Sequence, residues 1–290
     1  MSSTKVRYLI FFQYFGTKYC GVMRVPDTQA VLGVQNYLEM AAQKLRPVGS
    51  VTFSISSRTD SGVHALCNSA HVDIERGPGK APFSEDVLVK GLNFHLYAEP
   101  ISVLKAIHVS DDFHARFKAL SRTYLYRVVT GCKQSELPVF ERNLCWSASV
   151  SSLDMPRVQE AAQLLLGKHD FSAFASTDKS APFKSPIKTL QLADVTPSTS
   201  LLPYHYCRDL QFWDFTFKSK SFAYNQVRRM TSALVAVGLG LLSPQQIRLH
   251  LESCEPLLFS GRIIAPPCGL FLKEVEYAKI DLKTDKTELE

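Results

Sequence analysis

Nine consecutive residues, Ser57-Arg58-Thr59-Asp60-Ser61-Gly62-Val63-His64-Ala65, interrupt an apolar, strand-like pattern with hydroxyls, a guanidinium, a carboxylate and an imidazole. Asp60 follows Arg58 by two residues and precedes Gly62 by two, so a tight turn is allowed beside it. A carboxylate on a loop held at both ends is placed as a nucleophile or general base would be. The flanks supply the hold, because Val51-Thr52-Phe53-Ser54-Ile55 and Ala70-His71-Val72-Asp73-Ile74 both alternate as half-buried strands do. The same residues also fit a plain charged hairpin tip, with Arg58 and Asp60 facing solvent, because surface loops are polar.

A second kind of chemistry is written in the cations. With 33 Lys+Arg against 27 Asp+Glu the net charge is +6, modest in sum but unevenly placed. Residues 114–134 hold Arg116, Lys118, Arg122, Arg127 and Lys133 with no acid, and Phe117, Tyr124 and Tyr126 lie among them. Residues 217–230 hold Lys218, Lys220, Arg228 and Arg229 with Phe222 and Tyr224, again without acid, and residues 1–26 add Lys5, Arg7, Lys18 and Arg24. Basic side chains neutralise phosphates and aromatic faces stack on bases, so such segments suit RNA. Solvated strand faces over core aromatics would give the same pattern in any one stretch; three stretches together favour nucleic acid. The contact face is expected to carry Arg116, Arg122, Lys218 and Arg229.

Other chemistries find little support. The seven cysteines, at 20, 67, 132, 145, 207, 254 and 268, form no Cys-x-x-Cys pair, and an odd count without a signal peptide points to reduced thiols. His64-x-x-Cys67 and His205-x-Cys207 have metal-binding residue types but no companion at zinc-site spacing, which makes them buried or incidental residues. No run approaches the ~18 apolar residues of a membrane span, so a soluble chain is expected. Strand-like sequence starts by Val6, leaving no room ahead of it for an obvious cleaved targeting peptide.

The elements that must position these residues follow from periodicity. Residues 6–14 read as a first strand, rich in β-branched and aromatic types. Val31, Val34, Leu38, Ala41 and Leu45 give a first helix; strands at 51–55 and 70–74 follow; Val87, Leu88, Leu92 and Leu96 mark a second helix with Ser84 as its N-cap; 101–109 is a fourth strand. This βαββαβ order is that of a ferredoxin-like unit, and it recurs. The second round has a strand at 122–130, a helix over Val158 to Leu165 stopping at Gly167, strands at 187–195 and 210–217, a helix at 223–240 and a strand at 269–277. It also has an extra strand near 144–149 and a Pro/Ser-rich loop at 196–207. The expected fold is therefore α+β, two ferredoxin-like halves (1–112 and 113–282) with antiparallel sheets joined side by side around a central cleft. Residues 283–290 read as a disordered tail.

The nonapeptide closely resembles the Gly-Arg-Thr-Asp-Ala-Gly-Val-His-Ala signature of the TruA-type tRNA pseudouridine synthases, with Ser57 and Ser61 replacing two small neutral residues. Asp111-Asp112-Phe113-His114-Ala115-Arg116-Phe117 and Ser121-Arg122-Thr123-Tyr124-Leu125-Tyr126 are similar to the family's Phe-His-Ala-Arg and Arg-x-Tyr-x-Tyr motifs. Phe222-Ala223-Tyr224-Asn225-Gln226-Val227-Arg228 looks like its Phe-x-x-x-x-Val-Arg helix start. The likeness runs in consistent order over residues 6–277. It implies Asp60 as catalytic nucleophile, Tyr124 as the ring that stacks on the target uracil, and Arg228 as the cation paired with the Asp, with Arg58 and His64 contacting substrate. One departure is Gly21-Val22-Met23, where the family has Gly-Trp/Phe-Gln in a loop that helps hold RNA. The wording of the loops, including Glu141-Arg142-Asn143-Leu144-Cys145-Trp146, most resembles a vertebrate branch associated with mitochondria.

Pseudouridine formation breaks the uracil N1 to C1′ bond, turns the base and rejoins it through C5, and it requires no redox cofactor or metal. It does require a carboxylate beside the sugar, as glycoside cleavage does. The target must also be flipped out, and Arg58 suits the space vacated. The implied partners are RNA, in particular tRNA, with no membrane, and a second copy of the chain, since relatives dimerise. The competing reading is a non-catalytic RNA-binding protein on the same scaffold, because fold does not specify function. Retention of Asp60, Tyr124 and Arg228 in three separate segments favours the enzyme, as a binder has no physical need for that trio.

Overall fold

The computed structural model describes residues 5–176, 185–201, 209–255 and 264–282. In chain order the elements are β1 (Lys5–Tyr14), α1 (Val34–Lys44), β2 (Phe53–Ile55), β3 (His64–Glu75), α2 (Glu85–Leu96) and β4 (Ile101–His108). Then come β5 (Ala119–Thr130), β6 (Trp146–Ser147), α3 (Met155–Leu164), β7 (Gly167–Asp170), β8 (Ile187–Ser198) and β9 (Gln211–Ser219). Helices α4 (Gln226–Gly238) and α5 (Pro244–Ser253) and strand β10 (Leu270–Tyr277) complete the fold. The class is α+β. Packing divides the chain between Arg122 and Thr123 and returns everything from Leu272 onward to the first unit. The expected boundary near 112 had separated the Phe-His-Ala-Arg segment from the strands that hold it, and it gave the last strand to the other half.

In the first unit β3 is central, with β1 antiparallel along one edge and β4 beyond it, and with β2 and β10 also beside β3. Helices α1 and α2 bury Leu38, Ala41 and Ala42, and Leu88, Leu92 and Leu96, at the spacing that puts them on one face. The Ser84 hydroxyl accepts from the Val87 amide, so the N-cap read from sequence is formed. Helix α1 starts at Val34 rather than Val31, which is 50% exposed. Gly33 precedes it where a Cβ would fall 1.9 Å from the Met23 carbonyl oxygen, so the chain passes too closely there for any side chain.

In the second unit β5, β9, β8 and β7 are successive neighbours, and β6 is a two-residue parallel strand on β5 in place of the six residues expected. Helix α4 is its axis, buried over most of its length. Gly238 lies where a Cβ would meet Val158 Cγ2 at 2.8 Å, which lets α4 approach the segment carrying α3. The helix begins at Gln226 rather than 223 because Asn225 adopts the left-handed conformation, φ 59°. Strand β7 and helix α5 were not anticipated, although Ser243 and Pro244 form a capped helix start by ordinary rules. Residues 202–208, which take in the end of the Pro/Ser-rich loop with His205 and Cys207, lie outside the described residues, as does the tail 283–290.

Among the described residues no helix is long and apolar enough to cross a membrane, and no group of three His, Cys, Asp or Glu could hold a metal ion. None of the six described cysteines is in a disulfide.

Candidate active-site loop

The segment between β2 and β3 is fixed at nearly every residue. Its entry is set by α1, whose buried Gln35 and Glu39 hold β2 from one side: Gln35 Nε2 donates to the Phe53 carbonyl at 2.9 Å and the Phe53 amide donates to Glu39 Oε1 at 3.1 Å. Arg24 Nη1, 2.7 Å from Glu39 Oε2, supplies the cation that this buried carboxylate needs. Within the loop, Asn68 Nδ2 donates to the Ser57 carbonyl at 3.0 Å, the Val22 amide to the Thr59 carbonyl at 3.1 Å, and Ser61 Oγ to the Tyr19 carbonyl at 3.1 Å. The Val63 amide donates to the Asp60 carbonyl at 3.1 Å, and Gly62 takes the left-handed turn at φ 78°. Thr59 is buried, Asp60 half-buried and Arg58 exposed. A plain solvated hairpin tip would have no such set of internal partners.

Two glycines let the β1–α1 connection lie against this loop. A Cβ on Gly21 would meet the Thr59 carbonyl oxygen at 2.6 Å, and one on Gly16 would meet the Val63 oxygen at 1.9 Å. The Gly16 amide donates to His64 Nδ1 at 3.1 Å, so that nitrogen is unprotonated and the imidazole is fully buried as a joint between the two segments. His64, expected to touch substrate, is placed at this joint with its Nδ1 accepting from backbone. The Gly21-Val22 stretch, expected to bear on RNA, is the direct support of Thr59, and Val22 is fully buried.

The Phe113-His114-Ala115-Arg116 segment is pinned just as closely. Arg7 Nη1 donates to the Phe113 carbonyl at 3.0 Å, the Ala115 amide to His71 Nδ1 at 3.1 Å, the Tyr277 hydroxyl to the Ala115 carbonyl at 2.7 Å, and Arg122 Nη2 to the Arg116 carbonyl at 2.9 Å. Burial, with the nearby Arg7 guanidinium and the His114 imidazole, pushes the His71 imidazole down to about 4, so it stays neutral and accepts. Arg7 also forks onto Asp73 at 2.6 and 2.8 Å and holds that carboxyl below its usual range.

This wiring corrects part of the basic surface read from sequence. Arg122 is only 9% exposed, and its guanidinium reaches Ser57 Oγ at 3.2 Å and both oxygens of Ser56 at 3.3 Å. It belongs to the floor of the loop rather than to a phosphate-facing surface. Arg127 is buried on Glu141 at 2.7 Å, Lys5 and Arg7 are on Asp73, Arg24 is on Glu39 and Lys118 lies 3.2 Å from Asp281. Arg116, Lys18, Lys133 and Lys220 are exposed.

In the second unit Tyr124 lies on β5, largely buried, with its ring edge-on to Phe222 at 5.2 Å. Arg228 stands on the first turn of α4, where Nε donates to the Ala265 carbonyl at 2.7 Å and Nη1 to Asn225 Oδ1 at 3.1 Å. Asn225 Nδ2 and Arg229 Nε both reach Ser176 Oγ at 3.2 Å. Lys218 is half-buried on β9.

Residues that pattern reading missed are Tyr14 and Asn68. Tyr14 Oη lies 2.7 Å from Thr59 Oγ1, and Asn68 Nδ2 donates to Oη at 3.4 Å. Both side chains are buried, and burial pushes the Tyr14 phenol up to about 12, so it is neutral. Neither position differs in sequence from an ordinary strand residue.

The sequence profile of the tRNA pseudouridine synthase family matches residues 10–118 and 161–278. The chain is similar to tRNA pseudouridine synthase-like 1 of Xenopus laevis, 62% identical over 283 residues that cover 97% of this chain and 95% of that protein. The human protein of the same name is 53% identical over 281 residues, 96% of this chain and 92% of its own length. A bacterial tRNA pseudouridine synthase A, from Maricaulis maris, is 35% identical over 271 residues, covering 93% and 98%.

Proposed function

Because the chain belongs to the tRNA pseudouridine synthase family, whose members are isomerases, we propose that it converts uridines of tRNA to pseudouridine with Asp60 as the reacting carboxylate. The observation that carries the reading is the loop itself: Asp60 is half-exposed while Thr59 before it and Ser61 after it are tied by hydrogen bonds. A group that must meet a sugar carbon needs such preorganisation.

In this reading the Asp60 carboxylate attacks C1′ or removes a proton from the sugar, the N1 to C1′ bond breaks, the detached uracil turns, and a C5 to C1′ bond forms. The C5 proton is lost and N1 ends protonated, so composition is unchanged. Tyr124 stacks on the detached base and is the group nearest in kind to take the C5 proton. Arg228 supplies the cation that keeps Asp60 ionised in a partly dry site, and Arg58 fills the space left by the flipped nucleotide. Arg116, Lys218 and Arg229 contact phosphates.

Asp60→Asn tests this, since it keeps size and hydrogen-bonding capacity but removes the negative charge. The variant is expected to bind tRNA as well as wild type, because affinity is spread over phosphate contacts, and to release no tritium from uridine labelled at C5. Equal release by both proteins would refute Asp60 as the reacting group. Binding without release by wild type on any structured RNA would favour the non-catalytic binder.

A further inference from the structure

Strands β1 and β3 keep register from Lys5↔Glu75 to Phe12↔Asn68 and then slip, so that Tyr14 pairs with Ala65. Such an irregularity bends a strand and re-aims a side chain. Here the re-aimed residue is Tyr14, and its hydroxyl arrives 2.7 Å from Thr59 Oγ1. Asn68 completes the arrangement. Its Oδ1 accepts from the Ser69 amide at 2.8 Å, and Nδ2 donates both to the Ser57 carbonyl at 3.0 Å and to Tyr14 Oη at 3.4 Å. With its oxygen accepting from Asn68, the phenol directs its own proton to Thr59.

Packing alone does not ask for that hydroxyl. Phe11, Phe12 and Phe15 show that this stretch accommodates plain phenyl rings, and Tyr14 already stacks on Phe12 at 5.9 Å. Burying a phenol oxygen costs free energy unless it is hydrogen-bonded, and the partners recorded for this one are a loop residue and the amide that holds the loop. Thr59 is thereby gripped twice, at its hydroxyl by Tyr14 and at its carbonyl by the Val22 amide, while the Asp60 carbonyl is gripped by Val63. The peptide planes on both sides of Asp60 are fixed.

We propose that Tyr14, oriented by Asn68, is the positioning residue for the Asp60 carboxylate, acting through Thr59. The inference rests on the reading of Asp60 as the reacting group. Removing the grip loosens the backbone that carries the carboxylate, and a misplacement on the order of 1 Å costs roughly 100-fold in rate. Its effect therefore falls on the chemical step and not on RNA affinity.

The test uses the full chain and a tRNA transcript carrying C5-tritiated uridine, with single-turnover rate, transcript Kd and Tm measured together. Tyr14→Phe and Thr59→Val are each expected to slow the single-turnover rate about 10- to 100-fold with Kd within about twofold of wild type. Thr59→Ser, which restores an acceptor, should recover most of that loss. The double variant Tyr14→Phe/Thr59→Val should be no slower than the worse single one, because one hydrogen bond is removed either way. Wild-type speed in Tyr14→Phe, independent multiplication of the two effects, or a Thr59→Ser as slow as Thr59→Val would overturn the proposal. So would a rate loss fully accounted for by a fallen Tm. Thr59→Val and Thr59→Ser leave the core aromatic in place and decide the matter if Tyr14→Phe folds poorly. Asp60→Asn run alongside separates two failures: if it is inactive while Tyr14→Phe is unimpaired, the positioning role alone is lost, and if it is active the reading beneath it is lost as well.

Discussion

The Arg122 guanidinium donates to the Ser57 hydroxyl at 3.2 Å and to the Arg116 carbonyl at 2.9 Å, so one buried cation joins the Asp60 loop to the Phe113-Arg116 segment. Arg122→Ala should destabilise the protein by about 2 kcal/mol, since buried acceptors lose their donor. In urea melts its midpoint should fall well below that of Arg116→Ala. The roles reverse in RNA binding. Arg116→Ala should lower the slope of log affinity against log salt by about 0.7 to 0.9, while Arg122→Ala leaves the slope unchanged. A reduced slope in Arg122→Ala would return that residue to the phosphate face.

Protonation of His71 sets an acid limit on stability. Burial, then Arg7 and His114, depress its folded value to about 4 from 6.5, while Asp73 opposes them. As pH falls below 6.5 the unfolded chain takes up a proton that the folded one refuses, so stability present at neutral pH erodes between 6.5 and about 4. The loss should be about 1–2 kcal/mol after allowance for solvent screening. Asp73, depressed by its Arg7 hydrogen bond, adds its own loss only beneath the ordinary carboxylate value of 3.8, so the two are separable. Thermal melts should show the first slope in wild type and a flatter one in His71→Asn, which offers Ala115 an acceptor that does not titrate in this range.

Arg228→Leu probes the proposed charge partner of Asp60. Without the guanidinium the carboxylate pKa rises, and its ionised fraction falls at neutral pH. The acidic limb of the pH–rate profile should move to higher pH, with activity lost at pH 7 and partly regained above it. An unshifted profile would remove Arg228 from the mechanism.

The loop was legible because its chemistry is contiguous: nine residues announce themselves without reference to any other part of the chain. The N-cap at Ser84 and the apolar faces of α1 and α2 were legible for the same reason, being local rules of spacing. What escaped depends on partners far away. Arg7 looked like a free cation because Asp73, onto which it forks, is 66 residues distant, and Arg122 looked like surface because its Ser57 and Ser56 acceptors are 65 and 66 residues back. A window of local charge cannot see either. Tyr14 escaped because a one-residue slip of register, invisible in composition, decides whether its hydroxyl meets the loop. Asn225 was hidden inside a helical pattern, and only its left-handed backbone moves the start of α4 to Gln226.

Strand β10 also bears on synthesis. Tyr277 reaches Ser69 and Ala115, 208 and 162 positions earlier, each at 2.7 Å. On the ribosome, β3 and the Phe113-Arg116 segment therefore wait for their last neighbour until residues 123–271 have all emerged. The intervening unit is free to fold first, and the unit bearing Asp60, begun earliest, closes last. A nascent chain stalled after α5 presents an incompletely paired strand beside an unfinished loop. An unpaired strand edge of that kind is a surface that chaperones exist to shield.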